Sequence, residues 1–181
     1  MKSHLTLEEI AQQIQTVENE FNRFCKALTN EQFFYQPKGK WSPAQQVNHL
    51  IVAASNTKLA FALPKFFVRW YAGKPNRPSR SYDELVAKYK LKLVQGGKAS
   101  GRFIPKPIPA NYGKQKMIDQ FKRSMDKLMH AIKSKWKEGQ LDQYIAPHPL
   151  LGKITLRELG YFTIHHTYHH LESIQKMTAG S

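Results

Sequence analysis

The chain has 181 residues, of which 28 are Lys or Arg, 13 are Asp or Glu and one is Cys, for a formal net charge of +15. That length suits one domain able to bury a core without staples, and 41% hydrophobic with 12% aromatic residues excludes a disordered chain. The single cysteine excludes an internal disulfide, and no window approaches the ~20 apolar residues that span a membrane, Lys58 and Lys65 interrupting the richest one.

The opening Met1-Lys-Ser-His lacks an apolar signal core. With the lone cysteine, this sets the expectation of a cytoplasmic protein with no membrane partner. Much of the positive excess falls between Lys74 and Arg123, which permits an anionic partner without specifying one.

The first helix is expected to open at Thr6, where Glu9 three residues on completes a capping box, and to stop near Thr29 and Asn30. Leu7, Ile10, Ile14, Val17, Phe21, Phe24 and Leu28 recur at helical spacing and mark its buried face. Cys25, in the last turns, reads as a small core hydrophobe. A connector over 33–40 leads to Ser42, Pro43 and Gln45, a second N-terminal signature. The following helix is expected over 43–72, apolar around much of its circumference and interrupted or kinked at Pro64. His49 shares a stripe with Val52, Ala53, Asn56, Ala60 and Leu63 and so points inward.

A breaker-rich turn over 73–80 precedes Ser81 and Glu84, which cap a shorter helix over 82–94. The long connector over 96–109 has the length of a lid or binding loop, or of a plain excursion between helices. A long helix follows over 114–137, with Ile118, Phe121, Met125, Leu128, Met129 and Ile132 on its buried side and His130 near its end. Residues 145–152 read as an irregular approach to Thr155, whose partner Glu158 caps the last helix. No internal repeat, low-complexity tract or alternating strand pattern is visible. Four long helices and one short inserted helix make an all-α bundle.

The last helix carries Tyr161-Phe-Thr-Ile-His165-His166-Thr-Tyr-His169-His170-Leu171. Residues four apart stack on a helix face, so this run holds two pairs, His165/His169 and His166/His170. On a wheel, His166 and His170 fall among Leu156, Leu159, Phe162, Thr163, Ile174 and Met177. His165 and His169 fall among Glu158, Glu172 and Lys176, a solvated face. A core imidazole without partners costs roughly 1–3 kcal/mol, so two stacked in one core want a ligand. His49, His166 and His170 are therefore the candidate metal ligands, with His165 and His169 as surface or supporting residues. Three neutral imidazoles suit a divalent ion, zinc or nickel first and iron or manganese as alternatives, and leave coordination positions open for water or substrate.

Trp41-Ser-Pro-Ala-Gln-Gln-Val-Asn-His49-Leu50 resembles the first-histidine motif of the DinB/YfiT-like superfamily. His148-Pro-Leu-Leu-Gly-Lys-Ile-Thr-Leu-Arg-Glu158 with His166-x-x-x-His170-Leu171 resembles its C-terminal signature. The resemblance implies a four-helix bundle of up-down-down-up topology, often a homodimer, with a metal held at His49, His166 and His170. It also implies a chemistry like that of thiol S-transferases and a mycothiol-dependent isomerase. The doubled His165 and His169 depart from the minimal motif and either shuttle protons or face water.

The leading functional expectation is an enzyme in which a low-molecular-weight thiol or a water is activated at the metal and attacks a small electrophile. His148 is a candidate pocket residue, and Lys98, Arg102 and Lys106 are candidate grips for a carboxylate. A second reading is a module for nucleic acid or another anionic polymer, using Arg77, Arg80, Lys88, Lys90, Lys92, Lys98, Arg102 and Lys106 with Tyr82, Tyr89 and Phe103. A third is a metal-stabilised bundle that binds a ligand without chemistry.

Overall fold

A computed structural model of the protein describes residues 4–179; the expectation drawn from Met1 to Ser3 lies outside them. The described chain is predominantly helical. In order it comprises α1 (Leu7–Ala27), α2 (Asn30–Phe34), α3 (Pro43–Ala62), α4 (Lys65–Ala72), α5 (Tyr82–Val94), α6 (Lys114–Lys135), a hairpin of β1 (Ile145–His148) and β2 (Gly152–Thr155), and α7 (Leu156–Thr178). No single described helix is long and apolar enough to cross a membrane, although α3 and α4 together, bent by 108° at their break, have that length and composition.

The helix starts follow local chemistry. Thr6, Ser42, Ser81 and Thr155 each accept from the backbone three residues on, and Glu9, Gln45, Glu84 and Glu158 reach back to the cap. These four boxes satisfy donors that a helix N-terminus otherwise leaves orphaned. Thr29 and Gln32 form a fifth, which turns part of the expected connector into α2 and seats Phe33 in the core.

Proline 64 breaks the expected long helix outright. It cannot donate to the ladder, and it drives Leu63 to an extended ψ of 149°, so the chain restarts as α4 at a steep angle. The expectation of a helix packed on several sides is corrected for this part. Val68 and Ala72 are buried, but Phe66, Phe67, Trp70 and Tyr71 are exposed, because α4 rests on β1 with one face only.

The four long helices contact in a closed circuit, α1 on α6, α6 on α3, α3 on α7 and α7 on α1, around one contiguous apolar core. Ile10, Ile14, Phe21 and Cys25 of α1 meet Phe121, Met125 and Leu128 of α6, with the Phe21 and Phe121 rings 5.0 Å apart. The methionines fill core, and burial raises the Cys25 thiol to about 12, so neither set is reactive equipment. Gly160 of α7 lets α1 approach closely: a Cβ there would lie 2.8 Å from Ile10 Cγ2. His130 is exposed, as its lysine-rich surroundings suggest.

The approach to α7 is an antiparallel hairpin rather than irregular chain, pairing Ile145 with Thr155 and His148 with Gly152. Four-residue strands that contain Pro147 and Gly152 carry too little alternation to be read from sequence. The segment before the hairpin and the start of α1 are tied to α7 by Arg157, which is buried and bonds Asp142 at 2.7 Å, Glu138 at 2.6 Å and the Leu5 carbonyl.

Candidate metal centre

The α3–α7 seam holds a buried polar cluster. Three imidazoles occupy it: His49 from α3, and His166 and His170 from successive turns of α7, each 6–7% exposed. Their candidate ligand nitrogens all lie within 4.8 Å of one another. Nε2 of His166 is 3.0 Å from Nε2 of His49 and 3.1 Å from Nε2 of His170. The wheel argument and the structure thus bring the same three residues together.

The outer nitrogens are held by groups that decide the tautomers. Nδ1 of His49 lies 2.7 Å from the Phe103 carbonyl, which can only accept, so this nitrogen carries the proton. Nδ1 of His170 lies 2.9 Å from Oε1 of Gln46. The Gln46 amide nitrogen in turn donates to the Trp41 carbonyl at 3.5 Å, which turns its oxygen toward the ring. Both Nε2 atoms therefore present bare lone pairs to His166. The Nε2 of His166 has at most one proton and can donate to only one of them. Protonated, it leaves the second bare Nε2 without a donor; unprotonated, it sets lone pairs face to face in both contacts, and a shared cation relieves either arrangement.

Burial holds all three rings neutral. It lowers His49 below its ordinary value and His166 and His170 well below theirs, and the neighbouring histidines push the same way. Neutral imidazoles are the ligand form. Trp41 stacks parallel to His170 at 6.4 Å and lies 5.1 Å from His49, and Phe162 stacks on His166 at 4.7 Å. These apolar walls strengthen any electrostatic interaction made between them. The donor set, the tautomers and the neutral state all fit a divalent metal ion.

The remaining candidates fall into different places. His165 and His169 are not on a solvated face, because α5 covers them: both are half-buried, with Tyr89 ring centroids 5.8 and 6.0 Å away. Nε2 of His165 is buried with no hydrogen-bond partner. Glu158, which the wheel grouped with them, is fully buried under Arg77 and Arg80. His148 serves the hairpin turn, its Nδ1 accepting from the Leu150 and Leu151 amides at 3.2 Å, and burial lowers its pKa to about 4. Its ring stacks edgewise on Phe162 at 4.2 Å, one aromatic layer from His166.

Of the basic connector residues, Arg102 reaches α3 and donates to Asn56 Oδ1 at 3.3 Å, beside the turn that holds His49. Lys98 and Lys106, on either side of it along the connector, are exposed. Among the residues of the nucleic-acid reading, Arg77 and Arg80 are engaged by Glu158, Lys88 bonds the Leu151 carbonyl, and Tyr89 is buried.

Sequence reasoning missed two partners of the trio. Gln46 sits one turn before His49 on the same helix, so its spacing carried a signal. The Phe103 carbonyl carried none, since a backbone oxygen has no sequence signature. A groove of about 440 Å³ opens beside the trio, lined by Lys40, Trp41, Gln46, His170, Lys176 and Met177.

A family model described as the DinB superfamily matches residues 13–174, a span that includes all three histidines. No curated protein matches the chain significantly.

Proposed function

The chain belongs to the DinB superfamily, and on that premise we propose that it is a metal-dependent enzyme that activates a low-molecular-weight thiol or a water for attack on a small electrophile. The observation that carries this reading is the convergence of three neutral imidazoles, two of which have their outer nitrogens already committed, His49 to Phe103 and His170 to Gln46. A divalent ion there, zinc or nickel in preference to iron or manganese, supplies a Lewis acid that makes a nucleophile available at neutral pH.

The chain's own residues do the rest. His49, His166 and His170 hold the ion, and the Phe103 carbonyl and Gln46 orient two of them. Trp41 and Phe162 keep bulk water off two sides. The groove beside His170 admits the reactants, and Lys40 and Lys176 at its rim, with Arg102 across the seam, bind a carboxylate of the thiol. His169 faces this groove and receives the proton released by the nucleophile, whereas Nε2 of His165 is sealed away and serves packing. The contact circuit of α1, α6, α3 and α7 supports an up-down-down-up four-helix bundle, and we place the protein in the cytoplasm as a homodimer.

Elemental analysis of the purified chain tests the centre, and conjugation of a thiol to a halonitroarene tests the chemistry. We expect one divalent ion per chain, near-complete loss in His166→Ala, and conjugation that stops on chelation and returns with metal. Metal-free protein that conjugates at full rate would overturn the mechanism.

A further inference from the structure

Helix α4 is amphipathic in the wrong sense for a helix of a lone globular domain. Its small residues, Val68 and Ala72, face inward, while Phe66, Phe67, Trp70 and Tyr71 are 68, 47, 79 and 74% exposed. The rings associate with one another, Phe66 with Phe67 at 4.7 Å and Phe67 with Trp70 at 6.4 Å. Leu59 and Leu63, at the end of α3, are also exposed. Four large aromatics within six residues, all turned to solvent, exceed what a lone domain displays by chance.

Charge indicates what covers them. No Asp or Glu occurs between Glu31 and Asp83, a stretch that holds Lys58, Lys65, Arg69 and Lys74. Lys65 and Arg69 are half-buried, Lys65 bonding Gln140 Oε1 at 2.8 Å and Arg69 lying 4.6 Å over the Tyr144 ring, and Lys58 lines a groove with Asp126 of α6. Lysines from elsewhere in the fold are drawn to the same place. Lys135 Nζ bonds the Ala62 carbonyl at the end of α3 (2.7 Å), and Lys153 Nζ bonds the Ala72 carbonyl at the end of α4 (2.8 Å). The aromatic patch is thus bracketed by ammonium groups at both ends of α4. A second copy of a chain with net charge +15 would bring a like-charged rim against this one. An anionic, partly apolar surface complements both features at once. Tyr and Trp favour the level of lipid headgroups, where one end of the ring is apolar and the other wet. Lysine and arginine beside them favour anionic lipid.

We propose that α4 is a docking element for an anionic lipid surface, with Phe66, Phe67, Trp70 and Tyr71 entering the interfacial layer and the flanking basic residues meeting headgroups. This proposal departs from the sequence-based expectation of no membrane partner; the attachment is peripheral, without a span. The groove is lined from the start of α3 and the last turns of α7, whereas the docking residues follow the end of α3, so attachment and metal binding use different parts of the fold.

The experiment is co-sedimentation of the full chain with phosphatidylcholine vesicles and with mixed phosphatidylglycerol–phosphatidylcholine vesicles. We expect binding to the anionic vesicles at least roughly tenfold tighter than to the neutral ones. We expect the Phe66→Ser/Trp70→Ser variant to lose roughly tenfold in affinity or more, with an unchanged thermal melt, because these side chains support no core. Lys58→Glu/Lys74→Glu should weaken binding to anionic vesicles alone. Equal binding of the aromatic double variant to anionic vesicles would overturn the proposal, since attachment would then be a property of net charge. So would absence of vesicle binding together with a solution dimer that Trp70→Ser dissociates, since the patch would then be a self-interface.

Discussion

Gln46 Oε1 lies 2.9 Å from Nδ1 of His170, across the seam between α3 and α7. The amide is itself oriented by the Trp41 carbonyl, so a backbone oxygen at the start of α3 determines which nitrogen of a residue on α7 is bare. The centre is therefore built from the outside inward, and its supporting groups can be tested separately from its ligands.

Replacing Gln46 with Leu removes the acceptor while leaving all three imidazoles in place. Affinity for zinc should fall about 10–100-fold, read by competition with a chromophoric chelator. Gln46→Glu retains an acceptor in the same position and should recover most of the loss. Equal affinity in all three proteins would show that His170 needs no orienting partner.

The metal-free protein should lose stability as pH falls from 6.5 toward about 4. His49, His166, His170 and His169 have folded values below 6.5, and His148 and His165 lie at about 4, in each case chiefly because burial disfavours the charged ring. In that window the unfolded chain binds more protons than the folded one, so stability rises with pH. A urea-melt series should give a slope steeper than one titrating group supplies, about 1.4 kcal/mol per pH unit. A flat profile between those limits would refute the neutral-imidazole description.

Glu158 gives a separate acid response. Burial by itself would raise its carboxyl, but hydrogen bonds from Arg77 and from the Arg80 and Thr155 amides, with the Arg77 charge, outweigh that and hold it below its ordinary 4.5. A carboxyl depressed in the folded state contributes stability that is complete above about 4.5 and disappears as pH falls through its folded value. Glu158→Gln keeps the capping geometry but not the charge. It should cost about 3 kcal/mol at neutral pH, the low end for breaking a buried pair because both arginines keep some solvent. Its stability should converge on that of the parent in acid, which chemical denaturation at both pH values would show.

Gly160→Ala should destabilise by about 1–3 kcal/mol, because the new methyl would sit 2.8 Å from Ile10 Cγ2 on the facing helix. Ile10→Ala removes that carbon, so the double variant should be more stable than the sum of the two single losses implies. Strict additivity would mean that α1 and α7 part without resistance at this point.

Much of the architecture was legible in the residues themselves. Helix capping and the 3.6-residue period are local, so four capping boxes, the boundaries of α5 and the start of α7 could be read directly. The spacing of four that turns His166 and His170 to one face is local too, and with the apolar stripe that carries His49 it made the histidine trio accessible. What failed were inferences that depend on which distant segment covers a face. Glu158 and His165 read as solvated because a wheel knows nothing of Arg77, Arg80 or Tyr89. The α4 aromatics read as packed because nothing in their own sequence reveals that β1 covers one side only. The Phe103 carbonyl has no side-chain signature at all. The chain's own chemistry decided where helices begin and which histidines turn inward. Only the folded arrangement decided which polar atoms have partners and which apolar rings have none, because burial and hydrogen bonding are properties of neighbours brought together from far along the chain.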